Sequence, residues 1–390
     1  MPTSDAENQS KLLILVAGAK GAVASTLAVA VAQMQPHPEK VLASLTTTGR
    51  FNRLGRPATM LMGGWDTEKA SWQELLAHQG VLPAEIYREV GQELDQIMIR
   101  PVPNKGLRVK DQVEQVIHDI NAYKAQHPDS MPVFVNLLPA CPSCSLGSLD
   151  SIDELMEQPI NTNFPDLAYV LGAILTGVPV VNFTPNSLEI PLIIKEAEDR
   201  KVPISGRDGK TGQTYFKVVL ASAFKARNLT VDGWYSLNIL GNADGANLMN
   251  PRNAAGKVAN KTELLDEILG YSVGASYGHP AHKVHIDYYP PRGDAKEAWD
   301  VIDIKGLLGL PMSLRLNLQG RDSILAAPLV LDLAIWMSII QQANIFGLVP
   351  QLGFYFKKPV GEAAPLTFQE QLLALDKLEA ACTRRILDPS

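Results

Sequence analysis

The sequence predicts an α/β protein, a doubly wound parallel sheet with an α+β domain inserted into it. Three observations point there. Short apolar runs alternate with helix-like segments through the first half of the chain, as parallel strands and their crossovers do. A glycine turn joins the first apolar run to an alanine-rich segment. Past about residue 213 the strands alternate in polarity, and from Ile324 the chain becomes strongly helical again. The expected division is residues 1–213 for the first domain, 214–324 for the insertion, and 325–390 for helices that return to the first domain.

Taken in order, Lys11–Val16 reads as a buried strand, Gly18–Thr26 as a tight turn, and Leu27–Met34 as a buried helix. A second apolar run, Val41–Leu45, reads as the next strand of a βαβ unit. Ser71–Gln79 is amphipathic, and Val109–Gln126 reads as a helix. Pro132–Leu138 and Val178–Phe183 read as buried strands flanking a helix at Asp166–Thr176. In the insertion, Tyr215–Ala226 is helix-like, and Trp234–Leu240, Lys283–Tyr289 and Ser313–Gln319 read as strands. Val284, Ile286 and Tyr288 share one face, as do Leu314, Leu316 and Leu318, so a half-covered antiparallel sheet is expected.

Composition narrows the function. Of 390 residues, 46% are hydrophobic and 19% charged, the profile of a soluble globular protein. The net charge of -6 argues against nucleic acid or an anionic membrane as partner. Residues Met1–Ser10 lack the basic start and apolar core of a secretory signal. The most apolar stretch, Leu325–Ile340, is short for a membrane span and holds Asp332, so it reads as a buried helix. Three cysteines imply no disulfide framework, and a cytoplasmic location is expected. Cys141 and Cys144 have redox-motif spacing but follow a strand end, where a loop role is expected.

The glycine turn is the first candidate site. A dinucleotide diphosphate needs close backbone approach and a helix N-terminus. Gly18, Ala19, Lys20, Gly21, Ala22 and Val23 can supply both, with Ser25 and Thr26 adding hydroxyls. No acidic residue ends the run Leu45-Thr46-Thr47-Thr48-Gly49-Arg50, and Arg50 there would suit a 2′-phosphate; Asp66 is the candidate for a ribose-binding carboxylate if its loop folds back. Pro139 and Ala140, after a strand, are expected beside the cofactor.

The second candidate is a set of lysines with acids and amides around them. Lys257 and Lys261 lie four apart, which on a helix places two like charges on one face and favours an anion between them. Thr211, Gly212, Gln213 and Thr214 offer hydroxyl, amide and backbone donors to a phosphate. Asp208, Asn242, Asp244, Asp294, Lys296, Asp322 and Ser323 lie in nearby glycine-containing segments. Taken singly, each of these segments reads as an ordinary surface turn or a solvated helix face.

In combination they resemble the myo-inositol-1-phosphate synthase family, also called inositol-3-phosphate synthase. The resemblance is carried by Asp208–Thr214, Leu240–Leu248, Gly293–Lys296 and the run Asp322-Ser323-Ile324-Leu325-Ala326-Ala327-Pro328-Leu329, with weaker matches at Gly64-Trp65-Asp66 and Gly177-Val178-Pro179. Ala243 departs from the family's Asn-Asn-Asp-Gly. The resemblance implies a Rossmann-like domain that binds NAD and an inserted catalytic domain that builds a homotetramer. It implies a small-molecule sugar phosphate as substrate. Glucose 6-phosphate would be oxidised at carbon 5, enolised, closed by an intramolecular aldol step and reduced again. The family's essential lysines fall on Lys257, Lys261, Lys296 and Lys357. Lys257 and Lys296 are expected at the carbon 5 and enolate chemistry, Lys357 at the carbon 1 oxygen, and Lys261 at the phosphate. Clustered ammonium groups are expected to lower one another's pKa and so free one as a base. Asp294 joins this catalytic set, while Asp208, Asn242, Asp244, Asp322 and Ser323 would hold the nicotinamide end. A divalent cation (Mg, Mn or Zn) or a monovalent one is a further expectation. Two alternatives stay open: the same chemistry on another sugar phosphate, and a non-catalytic NAD-binding scaffold.

Overall fold

The computed structural model describes residues 11–34, 36–37, 41, 44–55, 57–104, 106–141, 151–157, 165–249 and 264–388, apart from the side chains of residues 52, 243, 244 and 247. The strands are β1 (Lys11–Ala17), β2 (Thr59–Trp65), β3 (Ile99–Arg100), β4 (Ser130–Asn136), β5 (Val180–Asn182), β6 (Pro203–Gly206), β7 (Thr230–Leu240), β8 (His282–Tyr288), β9 (Ala295–Lys305), β10 (Pro311–Arg321) and β11 (Gly347–Leu348). The longer helices are α1 (Ala22–Met34), α2 (Trp72–Gln79), α3 (Val109–Gln126), α4 (Asp166–Leu175), α5 (Pro191–Asp199), α6 (Gly212–Ala226), α7 (Asp322–Gln342) and α8 (Phe368–Leu387).

Seven strands form one sheet in the order β11-β6-β5-β4-β1-β2-β3, with every described pair parallel. Setting β11 aside, this is the strand order of the Rossmann-like fold, reversing between β1 and β4. Both faces are covered. Leu12, Ile14 and Val16 of β1 pack with α1, α7 and α8, while Leu13 and Leu15 pack with α3 and α4. That double burial makes β1 read as one unbroken apolar run. Helix α7 has the length and hydropathy of a membrane span, yet its residues from Val330 to Ile340 are buried. Its Asp332 accepts hydrogen bonds from Ser44 Oγ (2.5 Å), Leu45 N (3.1 Å) and Thr46 N (2.9 Å), which satisfies a carboxylate held inside an apolar core.

The second strand is where the sequence reading fails. Residues 42–43 of the expected strand Val41–Leu45 lie outside the described residues, and residues 45–50 form turns tied to Asp332. The neighbour of β1 is instead Thr59–Trp65, paired from Lys11↔Thr59 to Ala17↔Trp65. Gly63 and Gly64 disguise it. A Cβ at Gly63 would come within 2.7 Å of the Tyr123 ring, and Gly64 has φ 148° with its Cβ position occupied by Val16 backbone. Close packing demands both glycines, and glycines read as a loop.

The second sheet has the order β10-β9-β7-β8. It is mixed rather than antiparallel. β9 runs antiparallel to both β7 and β10, but β8 runs parallel to β7 from Trp234↔His282 to Leu240↔Tyr288. The long connection between β7 and β8 permits this, since parallel neighbours need a crossover. Val218, Ala221 and Phe224 of α6 pack on Val231, Trp234 and Ile302 of the sheet.

Candidate active site

All strands of the first sheet end at one edge, and the turns beyond them carry the cofactor candidates. After β1, Gly18 takes φ 82°, a conformation glycine adopts without penalty. The N–H groups of Gly18 and Ala19 donate to the Trp65 carbonyl at 3.0 and 3.1 Å, and Gly21 N donates to Gly18 O at 3.0 Å. A Cβ on Gly18 would lie 3.2 Å from the Leu137 carbonyl oxygen, so the turn is wedged between the ends of β2 and β4. Ala19 is buried, Gly21 is exposed, and Ala22 and Val23 open α1, where first-turn N–H groups have no carbonyl behind them. The Ser25 and Thr26 hydroxyls are engaged within the protein. Ser25 Oγ donates to Gly21 O (2.9 Å) and Gln79 Oε1 (2.5 Å), and Thr26 Oγ1 donates to Ala22 O (2.7 Å).

Asp66 needs no folded-back loop. It is the residue directly after β2, where this fold places a ribose-binding acid. One carboxylate oxygen accepts from Lys20 N at 2.8 Å and the other from Glu68 N at 2.9 Å. The Lys20 ammonium turns away to the Ala70 carbonyl (2.5 Å) and the Trp72 ring. Arg50 lies 3.7 Å from Asp376 of the last helix and over the Phe51 ring. Beyond β4, the Pro139 carbonyl accepts from Asn186 Nδ2 (3.1 Å), and Cys141 N donates to Asn186 Oδ1 (3.0 Å); this fixes the loop through Ala140. Cys144 lies outside the described residues.

The second cluster forms where the two sheets meet. A cavity of about 60 Å³ is lined by Asp208, Thr211, Gln213, Thr214, Lys296, Asp322 and Lys357, with Asn238 and Leu240 from β7. Lys357 Nζ donates to Asp208 Oδ1 at 2.8 Å, and Lys296 Nζ donates to Asp322 Oδ2 at 3.2 Å. Residues 206–210 and 355–360 run side by side: Arg207 N donates to Lys358 O (3.1 Å), Lys210 N to Tyr355 O (2.8 Å), and Val360 N to Gly206 O (3.1 Å). This ladder holds Asp208 at φ 61°, a region that costs a non-glycine residue about 1 kcal/mol or more. Lys296 and Lys357, the two described members of the expected lysine set, thus each face a carboxylate. Lys257 and Lys261 lie outside the described residues, as does the Asp244 side chain.

Asp294 sits behind Lys296. It accepts from Asn242 Nδ2 (3.2 Å) and Ser323 Oγ (3.3 Å). Burial, and next the charge of Asp322, push its carboxyl above the usual range, while the Asn242 and Ser323 bonds hold it down. Thr211 precedes α6, and Gly212, Gln213 and Thr214 form its buried first turn. Among the described residues no group of three His, Cys, Asp or Glu could hold a metal ion.

Three buried ionisable groups were missed as site residues. Lys210 is buried against Gln371 and Gly353, Lys217 against His282, and Asp300 accepts from Gln213. The one available signal was the four-residue spacing of Gln213 and Lys217 inside an otherwise apolar helix face.

A Rossmann-like sheet, with a glycine turn and an acid at its switch point and a lysine–carboxylate pocket alongside, defines a dinucleotide-fold enzyme. Comparison with known proteins gives the family. A family model described as myo-inositol-1-phosphate synthase matches residues 212–323. Inositol-3-phosphate synthase 1 of Bacteroides thetaiotaomicron is 34% identical, over 90% of each chain. A probable inositol 3-phosphate synthase isozyme of Arabidopsis thaliana is 29% identical over 72% of this chain and 59% of its own. The crystal structure of the Caenorhabditis elegans inositol-3-phosphate synthase superposes with a TM-score of 0.84 at 22% identity, covering 96% of this chain and 86% of that one. A myo-inositol-1-phosphate synthase-related protein from Thermotoga maritima gives 0.70 at 21% identity, over 95% and 98%. The chain belongs to the inositol-3-phosphate synthase family, a family of enzymes.

Proposed function

We propose that this chain converts D-glucose 6-phosphate to 1D-myo-inositol 3-phosphate with NAD. The observation that carries the reading is the convergence of two lysine–carboxylate pairs, Lys296–Asp322 and Lys357–Asp208, on a pocket floored by the first turn of α6.

The residues present fit the cofactor. The Gly18 turn leaves no room for a side chain, the α1 N-terminus offers amides to a diphosphate, and Asp66 suits ribose hydroxyls while repelling a 2′-phosphate. Bound NAD supplies the hydride acceptor for carbon 5 and returns the hydride after ring closure. The chain's own residues do the rest. Thr211, Gly212, Gln213 and Thr214 receive the phosphate, with Lys261 assigned to the same group. Asp322 aims the Lys296 ammonium at the carbon 5 oxygen, where enolate charge develops once carbon 6 loses its proton. Lys257 is assigned to the same charge. Asp208 aims Lys357 at the carbon 1 oxygen, which becomes an alkoxide as the ring closes and needs a proton. Asp294 braces Asn242 and Ser323 beside them, and Asp244 is placed at the nicotinamide end.

Residues 1–213 and 325–390 would then carry the cofactor together with Asp208, Thr211–Gln213 and Lys357, and 214–324 the rest of the catalytic set and the assembly. Leu307, Leu308 and Leu310 are 62–87% exposed, and Trp299 is half exposed, an apolar surface that supports a homotetramer built through the insertion. A cytoplasmic enzyme acting on a free sugar phosphate fits this reading.

Incubation with glucose 6-phosphate and NAD, followed by product NMR, tests it. A cyclitol phosphate is expected. No product across divalent metals, potassium and ammonium refutes the proposal. Light scattering tests the tetramer.

A further inference from the structure

Helix α6 meets the second sheet through charge as well as apolar packing. Gln213 and Lys217 lie one turn apart on its buried face, 2% and 3% exposed. Gln213 Nε2 donates to Asp300 Oδ2 at 2.9 Å. Asp300, on β9 and itself buried, accepts with its other oxygen from Trp234 Nε1 (2.7 Å) and Ser236 Oγ (2.5 Å). Lys217 Nζ lies 2.7 Å from His282 Nε2 and 5.7 Å from the centre of the Trp234 ring. Burial lowers the Lys217 pKa to about 8, against an opposing pull from Asp300.

Such a cluster is a poor way to hold a helix to a sheet. Desolvating the charges costs as much as pairing them returns, and apolar residues of similar volume commonly do as well or better. Directional bonds add something apolar packing cannot, a fixed rotation of α6 about its own axis. Asp300 grips the first turn of that helix, the turn that lines the pocket with Thr211 and Thr214. Lys296 stands on the same strand, four residues earlier and on the same face. One buried carboxylate therefore spans the α6 turn and the lysine-bearing strand. It also orients the Gln213 amide. The amino group must face the acceptor, and Oε1 has no partner among the described residues.

We propose that Asp300 is a positioning residue for substrate binding, holding Gln213 and the first turn of α6 so that the substrate phosphate is received in one fixed orientation relative to Lys296. The proposal rests on the reading of this pocket as the substrate site.

The test uses the full chain with Asp300→Asn, and with Lys217→Met combined with Asp300→Leu. For the apolar pair we expect a folded protein with a lowered melting temperature, because Gln213 Nε2, Trp234 Nε1 and Ser236 Oγ lose their acceptor. The KM for glucose 6-phosphate should rise about tenfold, the loss of one well-aligned hydrogen bond, with kcat and NAD affinity little changed. Asp300→Asn keeps the shape and should rise by a smaller factor in KM alone. Unchanged KM in a folded variant overturns the inference, and so does a parallel loss of NAD affinity and kcat. Inorganic phosphate separates this from the proposed function. If the wild type binds phosphate but does not turn over glucose 6-phosphate, the proposed function falls and Asp300 is judged on phosphate affinity, which the apolar pair must weaken. If the wild type binds neither, both fall.

Discussion

Lys210 allows a sharp test of how the pocket is held. It lies between Asp208 and the α6 turn and is 4% exposed. Nζ donates to Gln371 Oε1 at 2.6 Å and to the Gly353 carbonyl at 3.3 Å, and lies 5.5 Å from the centre of the Phe354 ring. Burial pushes its pKa down from the ordinary 10.5 to about 7. In the unfolded chain the amine keeps its ordinary value. Between those two values the unfolded state binds the extra proton, so this group makes stability rise with pH over that window. At pH 7 and below, the unfavourable burial amounts to about 5 kcal/mol. Lys210→Met preserves length and removes the titration, while leaving Gln371 and Gly353 short of a donor at a cost of about 1–3 kcal/mol. The variant should therefore be more stable than the wild type at pH 6. Its advantage should shrink by about 3 kcal/mol by pH 9.5. Urea unfolding of both proteins at the two pH values measures this. Parallel pH dependence in the two proteins refutes the argument.

Three further outcomes follow from the site. Lys296→Ala should lower kcat by about 100-fold or more while light scattering shows assembly intact; near-normal turnover would remove Lys296 from the chemistry. Asp66→Ser should narrow the preference for NAD over NADP by about tenfold, since a 2′-phosphate no longer meets a carboxylate; an unchanged ratio in steady-state kinetics would place the ribose elsewhere. Gly64→Ala should destabilise the fold by more than about 3 kcal/mol, because a side chain there collides with Val16 backbone. A melting temperature within two or three degrees of wild type would contradict the β1–β2 packing.

The centre of the first sheet was legible because its strands are buried on both faces, while the short strands β3, β6 and β11 were not read. β1, β4 and β5 read as apolar runs, and α3 and α4 fell where periodicity placed them. β2 was illegible because Gly63 and Gly64, required by Tyr123 and Val16, erase its pattern. β9 was missed for another reason. Asp300 occupies an inward position that alternation reserves for apolar residues, and Lys296 begins the strand directly after the turn at Gly293. Of the site, Lys357 emerged only from the family resemblance, and Lys296 was marked beforehand only by its Gly-Asp-Ala-Lys segment, since spacing alone cannot tell a pocket lysine from a surface one. Lys210 stayed hidden because a single buried charge leaves no periodic mark, and Lys217 left only its four-residue spacing from Gln213; their partners, distant in sequence, reveal them.

The Asp208–Lys357 pair joins residues 149 positions apart. The chain leaves the first sheet after β6, builds the whole second sheet, and only then returns through α7 and β11 to bring Lys357 back beside Asp208. During translation, a nascent chain that has emerged as far as α7 already holds the glycine turn, Asp66, the α6 turn and Lys296. It still lacks the lysine assigned to the closing oxygen. The Asp208–Lys357 pair can therefore form only after the whole second sheet has been made, and a chain halted before Lys357 would leave the Asp208 carboxylate without that ammonium.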